Sequence, residues 1–311
     1  MPDFEFLQNP LAKNWVILSP RRAKRPDIAN GLEPLCPFDV GKENEDEEVY
    51  RVPKMVAKDF FPETQKIDPL QDWKIRVVKN KFPFAPIHEV IIHSQDHNKN
   101  FGELPLPQVE LILQTYRSRY KEHQDKGQVY IFHNRQKGGG ESLPHPHSQL
   151  VVIPSEIKLD SIPRLAARDE MKVAAKDQIF KETNHFVIFC PRTSQWPDEV
   201  WIAPKERGNL FSSIKDVQIS DLAFTLTRLV QIFDLRHGLE FPFNFYIYPG
   251  GDWYLRIIPR VKVLGGFEVG TGIYVNTQDP KETIEFIKEH FENPNEEKIK
   301  TVHQASYKRT V

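Results

Sequence analysis

HEVIIHSQDHNKNF, His88 to Phe101, aligns without a gap on DEVWIAPKERGNLF, Asp198 to Phe211, at an offset of 110 residues. The strands before them, IRVVKNKFPF from Ile75 and HFVIFCPRTS from His185, keep that offset. A helical period follows each copy. Val109, Ile112, Leu113, Tyr116 and Tyr120 share one face over residues 106–123. Leu222, Leu226, Leu229, Val230 and Phe233 do so from about Ser220 to Phe233. QVYIFHN followed by HPHSQLVVIP then finds its counterpart in FNFYIYPGG followed by DWYLRIIP, at a slightly shorter offset. The chain therefore contains a duplication. Strands and helices are grouped rather than strictly alternating, which predicts an α+β fold of two antiparallel sheets with helices packed on one face. The halves are assigned to residues 1–155 and 156–311. Leu159 to Glu182 is expected as a connecting helix, GKENEDEEVYRV from Gly41 as a solvated loop, Pro280 to Phe291 as a short helix, and the tail to Val311 as loosely ordered.

With 311 residues, ample core is available. The 42 basic and 43 acidic residues leave a net charge of -1, which argues against nucleic acid or a membrane surface as the main partner. Cys36 and Cys190 are the only cysteines, so no disulfide framework is indicated and a reducing compartment fits. MPDFEFLQNP has no basic region followed by an apolar core, and no apolar run approaches the ~20 residues of a membrane span. A soluble cytoplasmic protein is expected.

Chemistry concentrates in Asn134 to Pro154, NRQKGGGESLPHPHSQLVVIP. Leu150 to Ile153 is strand-like, and the period of two puts His145, His147 and Gln149 on one face. Gly138-Gly139-Gly140-Glu141-Ser142 precedes them, and residues without Cβ let backbone N–H groups approach an anion. Imidazole facing such a cradle points to nucleophilic attack at phosphorus. A strand with solvated histidines, or a metal site without catalysis, would show the same H-x-H. The second copy has Trp253-Tyr254-Leu255-Arg256 where the histidines should stand, and Arg207 opposite His97, so one active site per chain is expected.

FHNRQKGGGESLPHPHSQ resembles the active-site signature of the galactose-1-phosphate uridylyltransferase family in the histidine triad superfamily. NPLAKNWVILSPRRAKRP, from Asn9, is similar to the opening motif of that family. The resemblance implies duplicated histidine-triad-like halves paired as an intramolecular pseudo-dimer. It also implies ping-pong transfer of UMP between UDP-glucose and galactose 1-phosphate through a covalent uridylyl-His147. Gln149, Ser142 and the backbone N–H groups of Gly139 and Gly140 would hold phosphoryl oxygens. Arg22 and Arg25 would meet the terminal phosphate, Asn80 the nucleotide, and Asn134 would orient the loop. Lys262 and Glu268 match residues that reach the pocket of a partner subunit, which implies a homodimer. Cys36-Pro37-Phe38-Asp39 stands where the family commonly has C-P-F-C, a zinc half-site. Asp39 departs from that pattern. Cys36, Asp39, His97 and His145 could still bind one structural Zn2+ as a mixed donor set, or the site is lost and Cys36 fills space. Two alternatives stay open for function: an ADP-glucose phosphorylase with inorganic phosphate as acceptor, or a nucleotide-binding hydrolase or sensor.

Overall fold

A computed structural model describes residues 3–24, 36–42, 47–53, 73–165 and 179–307. Runs of β-branched and aromatic residues form twelve strands among these residues. β1 (Glu5–Gln8) and β2 (Trp15–Leu18) make a hairpin. The other ten are β3 (Glu48–Pro53), β4 (Trp73–Lys79), β5 (Ile87–Ile92), β6 (Gln128–Arg135), β7 (His147–Ile153), β8 (Ile179–Glu182), β9 (Phe186–Phe189), β10 (Val200–Pro204), β11 (Phe243–Ile247) and β12 (Leu255–Pro259). They form one antiparallel sheet in the order β3-β4-β5-β7-β6-β11-β12-β10-β9-β8. The order repeats outward from a seam where β6 pairs with β11. The two expected sheets are thus joined edge to edge, which leaves neither inner strand with unpaired backbone groups.

Two helices cover one face, α1 (Leu106–His123) and α2 (Asp216–His237). Pro107 in the first turn of α1, and Lys121 and His123 in its last, suit the missing N–H groups and the dipole of a helix. The short α3 (Gly266–Thr271) precedes α4 (Pro280–Phe291) and α5 (Glu296–Tyr307), and both of the latter pack on α2. Ile75, Val77, Ile91 and Leu150 from the first half join Ile188, Ile202, Phe245 and Ile257 from the second in one cluster beneath α1 and α2. Each such side chain contributes about 1.5–3 kcal/mol on burial. The opposite face carries a continuous row across the sheet: Val78, Val90, Gln149, Phe132, Tyr246, Arg256, Trp201 and Phe189.

Pairing refines the repeat. Val77 lies opposite Ile91, and Ile188 opposite Ile202, all four facing the helices. Equivalents in these two strand pairs are therefore 111 residues apart, one more than the gapless sequence alignment gives. A slip of one residue sends every side chain to the other face, and burial fixes the register that sequence similarity alone misses.

Three other expectations change. Residues 179–182 form β8 and 159–165 are not helical, whereas the intervening 166–178 lie outside the described residues. Glu48–Pro53 pairs with β4 rather than forming a loop. Glu296–Tyr307 is helical because Ile299 is buried, giving the polar tail an anchor. Among the described residues no helix is long and apolar enough to cross a membrane.

Candidate active site

On the face away from α1, a cavity of about 310 Å³ is lined by His147 and Gln149 of β7, Ser142 of the glycine-rich loop, Asn80 after β4, and Phe38. His147 Nδ1–H donates to the carbonyl oxygen of His145 at 2.8 Å. That bond assigns the proton to Nδ1 and makes Nε2 the basic nitrogen of the ring. Gln149 Oε1 lies 2.9 Å from His88 Nε2, which is 3.0 Å from Asn80 Nδ2. In the sequence His88 is only the start of a strand. Its place on the same face as Val90, two residues away, is the signal that would have found it.

Below the nucleophile strand, on the helix side, a second polar group holds the backbone. His133 Nδ1–H donates to the His147 carbonyl at 2.9 Å. His93 Nε2 lies 2.8 Å from Ser148 Oγ, which meets the Tyr116 hydroxyl at 2.5 Å. Burial pushes His133 down to about 3 and His93 well below its ordinary value, so both rings are neutral. His93 Nδ1 and His133 Nε2 have no hydrogen-bond partner among the described residues. Neither ring stands out in the sequence, where His133 lies within an apolar strand and His93 just after one.

Cys36, Asp39, His97 and His145 bring one donor atom each to within 4.8 Å of one another. His145 Nε2–H donates to the Ser94 carbonyl at 2.9 Å, and burial lowers the pKa of this ring. Its Nδ1 therefore presents a lone pair to Asp39 Oδ1 at 3.1 Å, and the same carboxylate oxygen accepts from His97 Nδ1 at 2.7 Å. Two lone-pair donors facing each other suit a cation between them, so the residues fit a metal ion. Burial, helped by the Asp39 carboxylate beside it, pushes the Cys36 thiol up to about 11, a proton that a bound metal would displace.

The glycine-rich loop differs from the expected cradle. Gly139 N–H donates to Gln136 O and Gly140 N–H to Lys137 O, and neither glycine lines the His147 cavity. A Cβ on Gly139 would meet the Phe243 carbonyl at 2.9 Å, and Gly140 has φ +83°. These glycines are required by a tight turn against β11. Asn134 lies at that seam, accepting from Asn244 Nδ2 at 2.8 Å. Arg22 donates to Phe82 O at 2.6 Å and covers the Phe84 ring, which ties it to the rim. Arg25 lies outside the described residues. Lys262 and Glu268 are away from the cavity and bonded to each other at 2.7 Å.

In the second half, pairing puts Tyr254 at the place of His147, Arg256 at that of Gln149 and Glu199 at that of His88. Arg256 and Glu199 are buried and 2.7 Å apart, and Tyr254 stacks on Trp201. Arg207, which the gapless alignment sets against His97, pairs with Asp252 at 2.8 Å. Ion pairs and aromatic rings occupy the positions of the polar site.

Residues 6–153 match the family model of the galactose-1-phosphate uridyl transferase N-terminal domain. That half of the chain belongs to the galactose-1-phosphate uridylyltransferase family. Relatives of this family extend over most of the chain's length. An ADP-glucose phosphorylase of Arabidopsis thaliana is 26% identical over 92% of both chains. A galactose-1-phosphate uridylyltransferase of Thermotoga maritima is 25% identical over 92% of this chain and 98% of its own. The crystal structure of the Arabidopsis ADP-glucose phosphorylase with bound ADP-glucose superposes with a TM-score of 0.66, covering 92% of this chain and 99% of that one. These likenesses support a nucleotidyltransferase or phosphorylase of that family.

Proposed function

We propose that this protein moves a nucleoside monophosphate from a nucleoside diphosphate hexose to a phosphate-bearing acceptor through a covalent nucleotidyl-His147. The observation that carries the reading is the bond from His147 Nδ1–H to the His145 carbonyl, with Nε2 as the basic nitrogen of a ring lining the cavity. Nε2 attacks the α-phosphorus, the bond from phosphorus to the bridging oxygen breaks, and hexose 1-phosphate leaves. The positive charge on the ring rests against the His145 carbonyl. An oxygen of the acceptor phosphate then attacks phosphorus, the phosphorus–nitrogen bond breaks, and His147 returns to its neutral form. Gln149, with Oε1 held against His88, offers its amide N–H groups to the phosphoryl oxygens, and Ser142 adds its hydroxyl. Asn80 binds the nucleotide, Asn134 steadies the loop, and Arg22 and Arg25 pair with the outer phosphate.

Uridylyl transfer between UDP-glucose and galactose 1-phosphate is the pair implied by the signature. The likeness to an ADP-glucose phosphorylase over 92% of both chains favours a second pair, ADP-glucose and inorganic phosphate. Cys36, Asp39, His97 and His145 would hold one Zn2+ that fixes the Cys36–Asp39 loop. Val263, Phe267, Val269 and Ile273 are exposed around Lys262 and Glu268, which supports a homodimer in which this segment reaches the partner's cavity. Light scattering that finds a fully active monomer would contradict that assembly. Intact mass after incubation with UDP-glucose or ADP-glucose, without acceptor, tests the chemistry: a nucleotidyl adduct is expected on the wild type and none on His147→Gly. Labelling retained in His147→Gly would overturn the assignment. Turnover of nucleotide sugar without any acceptor would favour a hydrolase instead.

A further inference from the structure

The cavity crosses neighbouring strands in the order β7, β5, β4, β3, with His147, Ser142 and Gln149 at one end. Val90, Val78 and Phe82 line its middle, flat apolar walls suited to a planar ring. At the far end stands Glu47, one residue before β3, whose Glu48 lies opposite Val78. Three strand spacings separate the β7 and β3 backbones, about 14 Å. After each side chain has taken its share, that span matches a nucleoside monophosphate reaching from phosphorus to the outer edge of its base. Glu48 is occupied by Arg51 and Arg76, whereas Glu47 is half-buried and has no hydrogen-bond or ion-pair partner among the described residues.

A carboxylate only accepts hydrogen bonds. It therefore pairs with a base edge that carries an exocyclic amino group, as in adenine, guanine or cytosine. Uracil presents one N–H flanked by two carbonyl oxygens, which a carboxylate repels. We infer that Glu47 reads the base of the nucleotide donor and selects amino-bearing bases over uracil. Lys79 and Lys81 line the same rim but are exposed, where they suit ribose or solvent. The inference rests on the nucleotidyl-transfer reading for the orientation of the donor, and it names the property that separates the two donor pairs.

Calorimetric binding of ADP, GDP, CDP and UDP to the wild type, Glu47→Gln and Glu47→Ala tests it. The best amino-bearing nucleotide should bind the wild type at least about ten-fold tighter than UDP, because a site built for a donor rejects an edge lacking it. Glu47→Gln, whose amide both donates and accepts, should bring that ratio close to one with the thermal midpoint unchanged. Glu47→Ala should lose affinity for the amino-bearing bases without gaining it for UDP. Tightest binding of UDP by the wild type, or a ratio that survives both substitutions, would overturn the inference. Selective binding that depends on Glu47, without any adduct on His147, would uphold it while removing the covalent reading.

Discussion

Phe38 stands edge-on to His147 with ring centroids 5.4 Å apart, and its neighbour in sequence, Asp39, joins the histidines of the four-donor cluster. One short loop therefore presents a donor to the cluster and a wall to the nucleophile's cavity. What holds Cys36 and Asp39 also holds Phe38.

Chelation with 1,10-phenanthroline should accordingly lower the thermal midpoint by several degrees and slow nucleotidyl adduct formation. Asp39→Ala should reproduce both effects, and Asp39→Cys should restore the midpoint by supplying a thiolate. Co2+ added to the metal-free protein should give visible absorption from its bond to Cys36. An unchanged midpoint after metal removal, verified by elemental analysis, would separate Phe38 from any metal.

His133 should act as a positioning residue through the His147 carbonyl. His133→Phe fits among Phe101, Phe243 and Phe245 and keeps the packing. It loses one hydrogen bond, about 1 kcal/mol, and should slow adduct formation by about five-fold with nucleotide affinity unchanged. His133→Asn returns a donor and should recover most of the rate. Pre-steady-state labelling with parallel calorimetry separates rate from affinity; equal losses in both would mark a merely structural role.

Glu141 predicts a dependence of stability on pH. Burial pushes its carboxyl up to about 7, against the pull of Arg135 at 3.7 Å and of the Gln136 N–H. The folded protein then binds a proton more tightly than the unfolded chain. Stabilisation is full below the ordinary carboxylate pKa of 4.5 and is lost as pH rises through 7, by about 3 kcal/mol. Glu141→Gln should flatten the fall in thermal midpoint between pH 4.5 and 8; parallel curves for variant and wild type would refute the shift.

Arg256 and Glu199 should matter to stability and not to chemistry. Removing one charge leaves the other buried without its partner, at a cost of about 3–5 kcal/mol. Glu199→Gln should therefore lower the thermal midpoint sharply while the folded fraction labels at the wild-type rate. A labelling defect at full stability would mean that the second half contributes to the reaction.

Periodicity and repetition made much of this legible in one dimension. His147 and Gln149 share a face because strands alternate, and Cys36, Asp39, His97 and His145 meet as the four-residue set that the sequence suggested. His88 and His133 escaped notice because each gains its meaning from a partner in another strand, Gln149 and the His147 carbonyl respectively. The glycines were visible, but their purpose was not. Spacing cannot distinguish N–H groups open to an anion from N–H groups spent inside a turn, as those of Gly139 and Gly140 are.

The sequence by itself determined the duplicated strand–helix pattern, the face of His147 and the loss of histidines from the second half, because these depend on local period and residue identity. Only the tertiary structure decided that the halves share one sheet, that β4 and β5 match β9 and β10 at 111 residues, and that Glu47 and His147 line one cavity. Strand register is set by burial against helices distant in sequence, and a shift of one residue, invisible to alignment, exchanges the two faces.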